Sequence, residues 1–76
     1  MKREEFVSGL HEELELEVPL NADTNLKELE EWDSMAAMIV IGYVSNNFGI
    51  TLTADDLKSI TTVDSLMQRI GDDKFN

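Results

Sequence analysis

Apolar residues recur along the chain at the spacing of amphipathic helices, and polar, turn-rich segments separate them. In the first such stretch Phe6, Leu10 and Leu14 share one face, whereas glutamates fill most of the other positions. Helices are predicted over residues 3–16, 34–48, 54–60 and 62–71. No segment shows a clear strand pattern. The sequence therefore predicts an all-α domain, a four-helix bundle with three main helices, one short third helix and a long first loop.

A long connection follows the first predicted helix and runs to Asp33. Pro19 and the polar segment 21–25 are expected to end the helix and begin this loop. Leu26 and Leu29 lie within the loop, and we expect both to contact the core. Loops of this length are uncommon in small domains and are more often functional than not.

The predicted second helix is apolar at nearly every position from Met35 to Val44, with Gly42 as the exception. Two interpretations of this pattern remain open. Part of the helix surface meets another molecule, or the helix lies at the centre of the core with neighbours on three sides.

The composition narrows the class of protein. A chain of 76 residues forms one domain with a small core and is too short for a deep active-site pocket.

The 16 acidic and 6 basic residues of the chain give a formal net charge of -10. This charge repels nucleic-acid phosphates and anionic lipid headgroups, so we expect neither nucleic acid nor membrane as a partner. Proteins with basic patches are better candidates as partners of this acidic surface. An acidic composition also serves solubility alone.

The absence of cysteine excludes a disulfide framework and a thiolate metal site. The first residues turn acidic at once, unlike those of a signal peptide. No apolar run approaches the roughly 18 residues that span a bilayer. A cytoplasmic location is therefore expected.

Neither a metal site nor a catalytic site is predicted. In a calcium-binding loop counted from Asp23, the positions for an oxygen ligand, a glycine and a closing carboxylate hold Lys27, Glu28 and Ser34. His11 is the only histidine, so no second imidazole can share a metal. A hydrolase that paired His11 with Ser34 would need a water-shielded site with an oxyanion hole, and nothing in the sequence supplies one.

The segment Trp32-Asp33-Ser34-Met35 lies where the acidic loop gives way to the second predicted helix. Asp and Ser favour helix starts because their oxygens accept hydrogen bonds from unpaired first-turn amides. Ser34 is thus either a capping residue only or an exposed hydroxyl that another enzyme can modify. A similar triplet, Asp64-Ser65-Leu66, has no acidic loop before it and no long apolar helix after it. The surrounding residues therefore favour Ser34 over Ser65 as the serine that another enzyme modifies.

Taken together, these segments resemble the acyl carrier protein family over nearly the whole chain. The segments that carry the resemblance are the first helix, the long loop, Asp33-Ser34-Met35, the apolar helix ending at Phe48-Gly49-Ile50, and Thr61-Thr62-Val63. The family's motif is usually Asp-Ser-Leu, and methionine keeps an apolar side chain of similar volume without a branch at Cβ.

The resemblance implies that Ser34, flanked by Asp33 and Met35, receives 4'-phosphopantetheine from coenzyme A through a separate phosphopantetheinyl transferase. It also implies that Asp33 helps to position magnesium and the attacking hydroxyl in the transferase complex. The thiol of the arm would hold acyl or aminoacyl groups as thioesters, so a chain without cysteine could carry them.

A non-catalytic, stand-alone and monomeric carrier is therefore expected. Its partners would be the transferase, an acyl- or aminoacyl-activating ligase, and downstream condensing or acyl-transfer enzymes. The alternative is an acidic helical adaptor that binds a basic protein and has no prosthetic group.

In this family the second helix docks partner enzymes, but the acidic residues common there in carriers of fatty acid synthesis are scarce in this chain. Outward-facing positions are expected at Ala36, Ile39, Gly42, Ser45 and Asn46, so docking should depend more on apolar contact than on ion pairs. Acidic residues of the loop are placed to steer a basic partner, notably Glu28, Glu30 and Glu31.

Overall fold

Four α-helices form the fold in the computed structural model, which describes residues 1–75. They are α1 (Arg3–Leu14), α2 (Ser34–Phe48), α3 (Ala54–Ser59) and α4 (Val63–Ile70). Two short 3-10 helices, Leu26–Glu28 and Asp72–Lys74, lie within the first loop and after α4. These residues contain no strand, and an isolated bridge pairs Asn25 with Thr62. The predicted all-α fold is confirmed.

The first helix ends at Leu14, before its predicted end at residue 16. Glu15 adopts the left-handed conformation, with φ 53°. Its N–H donates to Glu12 O at 3.1 Å, and Leu16 N–H donates to His11 O at 3.3 Å. This bonding pattern is a Schellman motif, which satisfies the last carbonyls of a helix. The turn at Glu15, and not Pro19, therefore ends α1.

The other predicted helix ends differ from the observed ones by smaller amounts. Ile60 has an extended backbone and follows α3, whereas the prediction placed it inside the helix. Thr62 and Gly71 flank α4 as its caps. All three differences lie at helix ends, where boundaries are hardest to derive from periodicity.

Apolar faces of α1, α2 and α4 meet in one core. Phe6 and Leu10 of α1 are fully buried, and so are Val40 and Val44 of α2. The ring of Phe6 packs against the rings of Tyr43, Phe48 and Phe75. The buried residues of α4 are Val63, Leu66, Met67 and Ile70. Because α1 and α2 share this core, α2 rests on a rigid support.

The long first loop is attached to the start of α4. Leu26 is buried and Leu29 is half-buried against the core, as predicted. Three backbone hydrogen bonds hold the loop: Leu26 N to Thr61 O (2.8 Å), Val63 N to Thr24 O (3.0 Å) and Asp64 N to Ala22 O (2.9 Å). The loop therefore follows a defined course that leads to Asp33 and the start of α2.

The apolar second helix is buried along one face and exposed along another. Ala36, Val40 and Val44, four residues apart, share one face and are buried. Met35 and Met38 are both 69% exposed. The expectation that Ala36 faces outward is wrong, because its spacing from Val40 and Val44 turns it into the core, where it is 7% exposed.

A close approach between α1 and α2 depends on Gly9. The Tyr43 hydroxyl donates to Phe6 O at 3.1 Å. A Cβ atom at position 9 would collide with that hydroxyl oxygen. Burial raises the pKa of Tyr43 above 10.0, and Glu13 and Glu12 raise it further, so the hydroxyl remains a donor at neutral pH.

Gly9→Ala is expected to lower the free energy of unfolding by about 1 to 3 kcal/mol through overpacking, although alanine favours a helix more than glycine does. Tyr43→Phe should cost about 1 kcal/mol through its lost hydrogen bond. In the Tyr43→Phe background Gly9→Ala should cost less, because the colliding oxygen is gone. Urea denaturation of the four proteins measures the coupling. An equal cost of Gly9→Ala in both backgrounds would contradict the contact.

Asp56 connects α3 to the turn before it and to α4. Its Oδ2 accepts hydrogen bonds from Thr53 N at 2.9 Å and Thr53 Oγ1 at 3.1 Å, and its Oδ1 accepts one from Arg69 Nε at 3.3 Å. The backbone hydrogen bond from Thr53 is the main cause that lowers the pKa of the Asp56 carboxyl below 3.8, and Arg69 adds to it. These contacts hold the short α3 in place.

Asp56→Asn is expected to destabilise the fold at neutral pH, since the folded state favours the ionised carboxylate. The pKa is lower in the folded state, so this stabilisation is complete above the ordinary value of 3.8 and is lost as the pH falls through the folded value. The difference in urea midpoint between wild type and variant should therefore shrink as the pH falls below 3.8. Asp55→Asn, which removes an exposed carboxylate without a bond to Arg69, is the control. A difference in urea midpoint that stays constant with pH would refute the stabilising role of the ionised Asp56 carboxylate.

Candidate functional site around Ser34

Asp33 caps α2 and leaves the neighbouring serine free. Asp33 lies before the helix in extended conformation, and its Oδ1 accepts a hydrogen bond from Ala36 N at 2.9 Å. Ser34 is the first residue of α2 and is exposed. Within residues 1–75 no hydrogen bond engages its Oγ. The capping role therefore belongs to Asp33, and the hydroxyl of Ser34 is accessible from solvent.

Ser65 in the similar triplet has the opposite environment. Its Oγ accepts hydrogen bonds from Thr61 N at 3.0 Å and Thr62 N at 2.9 Å, and donates one to Thr62 O at 2.7 Å. Thr62 Oγ1 in turn accepts a bond from Ser65 N at 3.1 Å. This reciprocal capping box fixes the start of α4. The hydroxyl of Ser65 is thus used by the fold itself, whereas that of Ser34 is not.

A groove of about 420 Å³ opens beside Ser34, between the first loop, α2 and α3. One loop residue, Trp32, and residues of both helices give it an apolar wall: Ala37, Met38, Ile41 and Leu57. Lys27 and Lys58 line it as well, and Lys27 Nζ donates a hydrogen bond to Lys58 O. The groove thus offers apolar surface and two cations next to an exposed hydroxyl.

A larger cavity of about 870 Å³ lies elsewhere, between α1, loop residues 19–22 and α4. His11 lines this second cavity, and its Nε2 lies 2.9 Å from Val18 O. The structure therefore places His11 and Ser34 at different sites, and the hydrolase hypothesis has no structural support. We take the smaller groove as the candidate site because the free hydroxyl lies there.

The other residues predicted to dock partners are distributed over α2 and the loop. Ile39 and Gly42 are half-buried and line a shallow depression near Asn46, which is exposed, as is Ser45. Glu30 and Glu31 are exposed in the loop. The prediction did not include Met38, which is exposed on the same side of α2 as Met35. Their spacing of three residues is the signal that could have identified it.

Two kinds of structural feature are absent from the described part of the chain. None of its helices has the length and apolar character needed to cross a membrane. No cluster of three or more histidine, aspartate or glutamate residues in it is arranged to hold a metal ion.

Comparison with protein families gives a match over residues 5–70, nearly the whole chain, to the family described as a phosphopantetheine attachment site. No curated protein and no solved structure matches the chain. Members of this family hold 4'-phosphopantetheine covalently and are not themselves catalytic. The chain belongs to this family of phosphopantetheine-bearing carrier proteins, which is of the acyl carrier protein type.

Proposed function

We propose that the chain carries acyl or aminoacyl groups as thioesters on a 4'-phosphopantetheine arm attached to Ser34 Oγ. The observation that carries the proposal is the state of this hydroxyl. It is exposed, free of hydrogen bonds to residues 1–75, and located at the first position of α2 in a chain of the matching family. The thiol of the arm supplies the thioester chemistry that the polypeptide, which has no cysteine, lacks.

The surroundings of Ser34 suit an attached phosphodiester. The first position of a helix lies at the positive end of its dipole, where amide groups favour an anion. No residue of α2 is charged, so no carboxylate on this helix opposes the new negative charge. Asp33 uses Oδ1 for the cap, which leaves Oδ2 available to help orient a metal-bound donor in the transferase complex. The uncharged start of α2 and its helix dipole therefore support phosphate attachment at Ser34.

The docking surface of the proposed carrier has an apolar part on α2 and an acidic part on the loop before α2. Met35 and Met38 are each 69% exposed, and Ile39 and Gly42 continue this side of α2. Glu30 and Glu31 precede it on the loop. We expect the transferase, the loading ligase and the downstream condensing or acyl-transfer enzymes to contact the methionines, while the glutamates steer basic partners at longer range. Ala36 is excluded from this surface by its burial.

Incubation with coenzyme A, magnesium and a broad-specificity transferase should add one phosphopantetheine to the wild type, as intact mass spectrometry would show. Ser34→Ala should abolish the gain. Ser65→Ala is the matched control: it should still load, although the loss of its capping bonds should lower the free energy of unfolding by about 1 kcal/mol.

Loading of Ser34→Ala, or loss of loading in a folded Ser65→Ala, would place the attachment elsewhere. If no transferase loads the wild type, the acidic adaptor without a prosthetic group becomes the better account.

Met35→Gln should lower kcat/KM of the transferase about fivefold to tenfold, since it removes roughly 1 kcal/mol of apolar burial in the complex. The reduction should persist at high salt, because it does not depend on ion pairs. Val18→Gln changes an exposed apolar residue far along the chain from Ser34 and is the control. Equal kinetics for Met35→Gln and the wild type would remove Met35 from the docking surface.

A further inference from the structure

Lys27 and Lys58 are two of the six basic residues in a strongly acidic chain, and both line the groove beside Ser34. The arginines have carboxylate partners elsewhere: Arg3 pairs with Asp72 and Arg69 with Asp56, each at 3.3 Å. In the described part of the chain no carboxylate lies within ion-pair distance of Lys27. Its ammonium group is thus a cation at the groove without an anionic partner.

The position of Lys27 is defined by the fold. Its backbone N–H donates to Asn25 Oδ1 at 3.0 Å, which fixes the 3-10 turn of the loop. Its ammonium group reaches across to Lys58 O near the end of α3, where the helix dipole favours a cation. One bond to a carbonyl leaves further ammonium hydrogens available to a second acceptor.

Lys58 adds a second cation on the α3 side of the groove. Its Nζ lies 3.7 Å from Asp55 Oδ1, but both side chains are largely exposed, so the pair is weak and open to exchange. A stronger anion nearby can therefore attract the Lys58 ammonium group away from Asp55.

We infer that the Lys27 and Lys58 ammonium groups bind the phosphodiester through which the arm is attached to Ser34. This assignment rests on the proposed attachment at Ser34. The two ammonium groups offset the repulsion between the added negative charge and the acidic chain. They also hold the attachment point of the arm beside the groove between α2 and α3.

The test compares unmodified and loaded protein in the wild type, Lys27→Gln, Lys58→Gln and the double variant. The phosphodiester is present in the unfolded chain too, so the effect of loading on the folding equilibrium constant measures contacts made only in the folded state. Each substitution should reduce the change that loading makes in the folding equilibrium constant by a factor of about two to five, as expected for exposed charge pairs. Higher salt should weaken the effect in the wild type.

The controls separate this role from a structural one. Lys27→Gln also loses the bond to Lys58 O, but that loss affects unmodified and loaded protein alike, whereas Lys58→Gln keeps the carbonyl. Lys74→Gln removes an exposed cation that does not line the groove and should leave the effect of loading unchanged. The phosphorus resonance of the loaded protein should move in the groove variants and not in Lys74→Gln.

The two proposals fail differently. If the double variant loads fully at Ser34, yet the effect of loading on stability and the phosphorus resonance match those of the wild type, the lysine assignment is wrong and the carrier function stands. If the wild type does not load at Ser34, both are wrong.

Discussion

The attachment of the first loop to the start of α4 determines where the candidate site lies. Without fixed contacts, a loop of this length would have a large conformational entropy. Buried Leu26 and three backbone hydrogen bonds restrict it to a single course. The same attachment brings Asp33 to the start of α2 and Lys27 to the end of α3. The cap, the free hydroxyl and the groove beside it all depend on this course.

At two helix starts the chain uses the same pair of residues, Asp and Ser, in opposite ways. At α2 the aspartate accepts the capping bond, and the serine hydroxyl forms no hydrogen bond with any of residues 1–75. At α4 the serine hydroxyl bonds to two backbone amides and one carbonyl, so the fold depends on it. A hydroxyl that the fold does not need is available to a modifying enzyme, because its reaction costs no native hydrogen bond.

The charge of the molecule is distributed unevenly around Ser34. The net charge is -10, yet α2 carries no charged residue and two of the six cations line the groove. Acidic residues are concentrated in α1 and the loop. This arrangement suits a protein that attracts basic partners at long range, makes apolar contact close to Ser34 and accepts a phosphate at one point on its surface.

Local physical chemistry let the sequence alone determine the positions of the helices, and the residues around each triplet favoured Ser34 over Ser65 as the predicted attachment site. Periodicity and helix caps depend on residues close together in the chain. The predicted end of α1 is wrong because Glu15 adopts the left-handed conformation and Leu16 is buried. Burial depends on residues that are distant in the chain. Ala36 was placed outward because a helix apolar on every side has no polar face to orient it. Only the tertiary structure decided which side of α2 is exposed, and only it brought Lys27 and Lys58 together from opposite sides of the groove.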